Sequence, residues 1–317
     1  MPKLTVVVPA FNESEGLRDF HARLAAVLDG LKSGEHPLET EVLYVDDGSR
    51  DDTWNILCEL RAADARVSTL RLSRNFGKEL ALTAGLDHAD ADAVVVIDSD
   101  LQDPPEVIPT FVARWREGFD VVYGTRATRA GETGFKKLTA STFYRVMERL
   151  SPTSIPRDTG DFRLLSRRAV DALKQVRERQ RFMKGLFAWV GYRQIAVVYD
   201  RDARHAGATK WNYWRLWNFA IDGITSFSGA PLKLATYIGL VTALFAFGFG
   251  LWVLGKALLF GDPVRGYPSL MVIVLFLGGV QLVALGVIGE YLGRLYVESK
   301  QRPLYLVDEY HPPQGGD

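Results

Sequence analysis

Residues 94–97 of this chain, Val-Val-Val-Ile, are followed at once by Asp98, Ser99 and Asp100, and that junction leaves few ways to fold. A β-branched run of this length is too short for a helix and reads as a strand buried on both faces, the habit of a parallel sheet. Pro104 and Pro105 keep the strand from continuing. Residues two apart in an extended segment point the same way, so Asp98 and Asp100 face one ligand together. Two close carboxylates repel each other. A hard divalent cation, Mg²⁺ or Mn²⁺, relieves that repulsion and keeps positions for phosphate oxygens and water. An isolated Asp-x-Asp is more often a solvated turn, so the surrounding stretches must decide.

Those stretches repeat one plan. Residues 4–8 form a strand stopped by Pro9, after which Asn12 or Ser14 is placed to cap an amphipathic helix through Leu17, Leu24 and Leu28. Residues 42–45 form a second strand that ends in Asp46, Asp47, Gly48 and Ser49, with a helix from about Asp52. A strand over 67–72 leads to the turn SRNFGKE and a helix through Leu80, Ala84 and Leu86. Strand and helix in this alternation mean a parallel sheet with crossover helices, and ligands of such sheets bind beyond the carboxyl ends of the strands. PAFNE, DDGS and DSD all lie at those ends. Three polar clusters distant in sequence therefore meet in one acidic crevice. Neither a G-x-G-x-x-G fingerprint nor a P-loop follows the first strands, which argues against a dinucleotide enzyme or a P-loop nucleotidase.

Composition bounds the rest. The 317 residues carry no formal net charge, so there is no electrostatic footprint of nucleic-acid binding. The single Cys58 excludes an internal disulfide and a cysteine metal cluster, and fits a reducing compartment. The N-terminal stretch has no long apolar region and does not read as a signal peptide. Apolar residues instead gather late, over 235–254 and 270–288, each about 20 residues and enough to cross hydrocarbon. The short connection GDPVRGYP makes them a hairpin with both ends on one side. Lys233, Arg294, Lys300 and Arg302 flank that side, against Arg265 in the loop and Lys256 near the far boundary, which places the polar part in the cytoplasm. Glycines 248, 250, 278, 279, 286 and 289 leave small faces for helix contact and suggest a homo-oligomer, dimer or tetramer.

Taken together, VVVPAFNE, YVDDGSRDDT, LSRNFGKELALTAGL, VVIDSDLQDPPE, VVYGTR and TGDFRLLSR resemble the inverting family 2 glycosyltransferases of GT-A fold. Within them the chain is similar to the polyprenyl-phosphate hexose transferases related to dolichol-phosphate mannose synthase. The resemblance covers roughly residues 4–210 and implies an α/β, Rossmann-like, mainly parallel catalytic domain over 1–210. Amphipathic juxtamembrane helices at 135–150 and 211–230 would follow from it, then transmembrane helices at about 232–258 and 268–294 and a cytoplasmic tail over 299–317. It implies that Pro9, Phe11, Glu13 and Asp47 hold the nucleotide base and ribose, with Val45 packed beside them. Asp98, Asp100 and Gln102 would organise the metal and diphosphate, and Arg126 would meet phosphate. Arg204 and Lys210 keep the pattern R-x-x-G-x-[ST]-K of a loop that closes over the donor phosphates. Asn75 and Gly77 precede a helix, where Asn is commonly a cap.

Asp161 is the implied acceptor-side carboxylate, usually drawn as a general base. A lipid phosphate is already largely dianionic at neutral pH, since its second pKa is about 6. The residues alone leave three readings of Asp161 open: a base, an orienting group, or the cap of the helix that follows. The helix over 135–150, with Lys136, Lys137, Arg145 and Arg149 among apolar residues, suits either a solvated face or an anionic membrane surface. Trp211, Trp214 and Trp217 make one helical stripe suited to core packing or to the headgroup level.

The reaction implied is metal-dependent transfer of one hexose from a nucleotide sugar to a polyprenyl phosphate, UDP-glucose and undecaprenyl phosphate being the favoured pair. GDP-mannose is the alternative donor. A processive polysaccharide synthase would add a Q-x-x-R-W motif and more spans, neither of which the sequence contains. A non-catalytic scaffold would be expected to lose Asp98, Asp100 or the Arg204/Lys210 loop, and all are present.

Overall fold

The computed structural model describes residues 1–126, 159–179, 181–200, 230–260 and 266–314. The basic helix expected over 135–150, the Arg204/Lys210 loop and the tryptophan stripe lie outside the described residues. The chain divides into two compact units, one of residues 1–148, 153–216 and 302–317, the other of residues 149–152 and 217–301.

The first unit opens with β1 (Lys3–Ala10), α1 (Leu17–Ser33), β2 (Glu39–Asp46), α2 (Thr53–Ala63), β3 (Val67–Leu72), α3 (Lys78–His88) and β4 (Ala93–Val96). It continues with α4 (Ile108–Arg116), β5 (Val121–Arg126), β6 (Thr159–Ser166), α5 (Arg167–Gln175), α6 (Met183–Trp189) and β7 (Gln194–Tyr199). One sheet runs in the order β7-β5-β6-β4-β1-β2-β3-β8, where β8 is Val307–His311. β4, β1, β2 and β3 are parallel neighbours, as the alternating pattern requires. Val6 pairs with Val42 on one side and Val95 on the other, so the β-branched runs sit at the sheet's centre with no exposure.

β6 departs from that plan. It runs antiparallel between β4 and β5, pairing Val96 with Arg163. An antiparallel strand starts where its neighbour ends. Continuing the register by two residues sets Asp98 opposite Asp161, which is how two carboxylates far apart in sequence come together. Asp161 is therefore a strand residue and not a helix cap. Ser166 caps α5 instead, its Oγ accepting from the Ala169 N–H.

On one face of the sheet Leu17, Phe20, Leu24 and Leu28 of α1 pack over Leu4, Val6, Val8 and Tyr44. On the other, α3 turns a face of small residues to the strands. A Cβ on Gly85 would run into Val7 Cγ1 and come within 3.1 Å of Val45 Cγ2, so the helix lies closer to the sheet than any side chain there permits. The cap expected at Asn12 or Ser14 is not formed. α1 begins after Gly16 without a side-chain cap, and Asn12 takes a left-handed φ of 55°. Its Oδ1 accepts the Arg50 N–H at 2.9 Å, and its own N–H donates to Ser49 Oγ at 3.0 Å, tying the loop after β1 to the loop after β2.

Residues near the C-terminus return to this unit. β8 pairs antiparallel with β3, the Ser73 N–H donates to the Leu306 carbonyl, Tyr305 Oη donates to Asp87, and His311 stacks on Trp54. The stretch set apart as a tail in the sequence thus covers an otherwise open sheet edge.

The second unit contains α7 (Ala230–Phe260) and α8 (Tyr267–Ser299), which pack against each other. Leu234–Trp252 and Val272–Ser299 are long and apolar enough to cross a membrane. Val241, Phe245 and Leu282 are 67%, 69% and 71% exposed, an apolar surface that water would not support over such lengths.

Gly85→Ala is expected to destabilise the first unit by about 1–3 kcal/mol through overpacking between α3 and the sheet. Thermal unfolding of the purified protein followed by circular dichroism checks this; an unchanged midpoint would show that α3 can lift away at no cost.

Candidate active site

A cleft of about 280 Å³, near the lower end of small-molecule sites at roughly 300 Å³, opens at the carboxyl ends of β1, β2 and β4. The loop after β1 lends it Pro9, Ala10, Phe11 and Glu13, and the end of β2 lends Asp47. Asn75 and Gly77 enter from the β3–α3 turn, Lys78 and Ala81 from α3, and Asp98, Ser99 and Asp100 from the end of β4. Six expected residues, Pro9, Phe11, Glu13, Asp47, Asp98 and Asp100, thus share one cleft. Val45 and Gln102 are buried outside its lining, Val45 in the sheet and Gln102 in the turn after Asp100. Arg126 closes β5. Arg204 and Lys210 are outside the described residues.

Asp47 does more than face a ligand. Its Oδ1 accepts the Phe76 N–H at 2.7 Å and its Oδ2 the Gly77 N–H at 2.9 Å. Beside it Gly48 has φ +67°, and a Cβ there would stand 2.5 Å from the backbone carbon of Arg74. The turns after β2 and β3 therefore pack backbone on backbone. Gly77, at φ +100°, redirects the chain so that α3 starts with Lys78 pointing into the cleft.

The Lys78 ammonium donates to Asp98 Oδ2 at 2.7 Å and to Asp161 Oδ2 at 2.5 Å. Burial works against the charge of all three groups. At Lys78 the two carboxylates outweigh it and hold the pKa above the ordinary lysine value. At Asp161 the charges of Lys78, Lys184 and Arg163 outweigh it and draw the carboxyl down to about 2. Asp161 Oδ1 is buried without a hydrogen-bond partner. Arg163 is buried beneath, its guanidinium 3.7 Å from the Phe187 ring centre and donating to the Gly160 carbonyl at 2.9 Å. Burial lowers its pKa to about 10. Glu79, next along α3, accepts the Met183 N–H at 3.1 Å and so joins α3 to α6. Burial, then the Asp161 charge, pushes it up to about 7.

The turn after Asp100 is under strain. Leu101 has φ +57°, unusual for a bulky residue, with its side chain buried in the core. The Gln102 N–H donates to Asp100 Oδ1 at 3.1 Å, and Asp103 accepts from Tyr199 Oη at 2.5 Å. The two partners hold the turn in place from below while Asp98 and Asp100 stay in the cleft. Among the described residues no three His, Cys, Asp or Glu side chains group to hold a metal. Asp98 and Asp100 fit a hard cation that takes one or two carboxylates and completes its shell with ligand oxygens and water.

Lys78 and the Asp103–Tyr199 pair join the site without being among the residues expected there. Lys78 carried a signal: a cation at the first position of a helix opposes the helix dipole, which favours anions there. Tyr199 carried none, because its partner is 96 residues away.

A mixed α/β sheet carries convergent acidic loops at its carboxyl edge, and the same chain has two helices long and apolar enough to cross a membrane. The glycosyl transferase family 2 profile matches residues 5–174, and the GtrB C-terminal hairpin profile matches residues 230–295. An uncharacterized glycosyltransferase of Synechocystis sp. is 53% identical over 307 residues, 97% of this chain and 95% of the relative. A bactoprenol glucosyl transferase of Shigella phage SfV is 48% identical over 96% of this chain and 98% of its own. A prophage bactoprenol glucosyl transferase homolog of Escherichia coli is 47% identical over the same shares. A solved glucosyl-3-phosphoglycerate synthase from Mycobacterium tuberculosis aligns with 69% of this chain and 76% of its own, at 22% identity and a TM-score of 0.46, too distant to place any residue. The chain belongs to glycosyl transferase family 2 and has GT-A fold.

Glu79 supplies a pH test. Its carboxyl is raised from 4.5 to about 7, so it contributes stability that is full below pH 4.5 and lost as pH rises through about 7. Glu79→Gln keeps an acceptor for Met183 and removes the titration. Between pH 5 and 8 the wild type should lose thermal stability relative to Glu79→Gln, and parallel curves would refute the assignment.

Proposed function

We propose that the chain transfers glucose from UDP-glucose to a polyprenyl phosphate such as undecaprenyl phosphate, with inversion, using Mg²⁺ or Mn²⁺. The observation that carries this is the meeting of the cleft carboxylates Asp98 and Asp100 with Asp161 across the β4–β6 register. The bactoprenol glucosyl transferases among the relatives support the acceptor and the sugar.

Pro9, Phe11, Glu13 and Asn75 bind the nucleoside at the open end of the cleft, and Asp47 holds the Phe76–Gly77 turn that forms its wall. Asp98 and Asp100 hold the metal, which when bound offsets the diphosphate charge that grows as the donor bond breaks. Arg126, Arg204 and Lys210 add cations for the same charge. Asp161 and Lys78 orient the acceptor phosphate. One of its oxygens attacks the anomeric carbon from the face opposite the diphosphate, the bond to the diphosphate breaks, UDP leaves, and a β-linked lipid-phosphate glucose remains. No proton need be removed, because a phosphate monoester with a second pKa of about 6 is mainly dianionic at neutral pH.

The hairpin stands between β7 and β8 in chain order, and both strands belong to the first unit. The chain therefore crosses the bilayer an even number of times between them, which supports a two-span anchor, and Lys233, Arg294, Lys300 and Arg302 at its ends support the cytoplasmic side. Small-residue faces on the spans support a homo-oligomer.

The test is product formation by the protein reconstituted in liposomes with undecaprenyl phosphate, Mn²⁺ and labelled UDP- and GDP-sugars. Labelled lipid is expected with UDP-glucose, falling roughly 10²–10³-fold in Asp100→Asn. Labelled polymer would favour a processive synthase. Absence of labelled lipid with every donor would overturn the proposal.

A further inference from the structure

Among the described residues, Lys78 is the one cation lining a cleft that also contains Glu13, Asp47, Asp98 and Asp100. Its position is imposed by others. Asp47 grips the two N–H groups just before it, and Gly77 turns the chain so that α3 must start there. At a helix N-terminus the dipole disfavours an ammonium, so local propensity does not explain it. What compensates is the pair of carboxylates, Asp98 at 2.7 Å and Asp161 at 2.5 Å, reached by a single Nζ. Asp98 is assigned above to the metal and diphosphate, Asp161 to the acceptor. Lys78 is the atom-level link between these two halves.

An ammonium on Asp98 Oδ2 and a divalent cation on the same carboxylate repel each other and compete for its lone pairs. Asp161 presents a complementary difficulty. With one oxygen on Lys78 and the other buried without a partner, it is a carboxylate beside which a lipid phosphate, itself an anion, has to settle. Without an adjacent cation that approach is disfavoured.

We propose that Lys78 is the internal counter-ion of this site. It competes with the divalent cation for Asp98, and once the cation and nucleotide diphosphate hold Asp98 its ammonium stays with Asp161 and offsets the negative charge met by the incoming lipid phosphate. Lys78 is thereby a positioning residue that couples donor binding to acceptor binding. The inference rests on the proposed metal-dependent transfer.

Mn²⁺ binding to the full-length protein in detergent, read by electron paramagnetic resonance without nucleotide, separates the two ideas. Lys78→Met and the hydrogen-bonding but neutral Lys78→Gln should each bind Mn²⁺ about ten-fold more tightly than wild type, equivalent to about 1.4 kcal/mol. Lys78→Arg should not. In turnover at saturating Mn²⁺, where the competition for Asp98 no longer limits donor binding, the neutral variants should raise KM for undecaprenyl phosphate about ten-fold and leave KM for UDP-glucose within about two-fold, a split that general loss of structure does not produce. Thermal midpoints of all three variants confirm folding. If Asp98→Asn loses Mn²⁺ while the neutral Lys78 variants bind it no more tightly than wild type, the counter-ion proposal falls alone. If Asp98→Asn and Asp100→Asn bind Mn²⁺ as wild type does, the metal reading falls and takes this proposal with it.

Discussion

Like charges collected at one edge of a sheet have to be compensated, and most of the local structure around this cleft is the means of doing so. Asp46 accepts from the Ser49 N–H and has Arg71 at 3.6 Å, while Asp47 takes two N–H groups of the next turn. Asp98 and Asp161 share Lys78, and Asp103 is held by Tyr199. Further along the same sheet, Asp120 is held by Arg168 and Ser166. Apart from Ser49, which lies in the turn directly after Asp46, each partner comes from an element other than that of its carboxylate. The carboxylates therefore act as ties between loops, and the loops are fixed because unpaired buried charge is costly.

This explains which parts could be read from the chain itself. The β-branched runs at 4–8, 42–45 and 94–97 are central parallel strands, because burial on both faces permits nothing else there, and the polar clusters after them do line one cleft. Partnerships between distant residues left no local trace. The antiparallel entry of β6 sets Asp161 against Asp98, yet TGDFRLLS read alone permits a helix start as readily as a strand. Asn12 looked like a cap and is a tie between loops; Asp47 looked like a ligand and also clamps a turn. VDEYH shows only weak alternation, and its role as an edge strand depends on β3 offering an unpaired ladder.

The return of the chain after the hairpin adds a constraint of its own. Trp54, Arg61, Asp87 and His88 all meet residues between 305 and 312, so the edge of the sheet is closed by chain that lies beyond both apolar helices. For the membrane-spanning hairpin proposed here, a unit assembled from segments on either side of it requires both hairpin ends to emerge on one face of the bilayer, independently of any count of basic residues.

The chemistry proposed for Asp161 follows from the same compensation. A general base works best with a pKa near the operating pH, whereas the surrounding cations hold this carboxyl at about 2 and make it a poor proton acceptor. The proposed acceptor does not need one, being a phosphate already mostly ionised at neutral pH. The obstacle is electrostatic, since an anion has to approach a second anion among carboxylates. Lys78 on Asp161, with Lys184 and Arg163 close enough to act on the same carboxyl, lowers that obstacle and keeps Asp161 able to orient what it would otherwise repel.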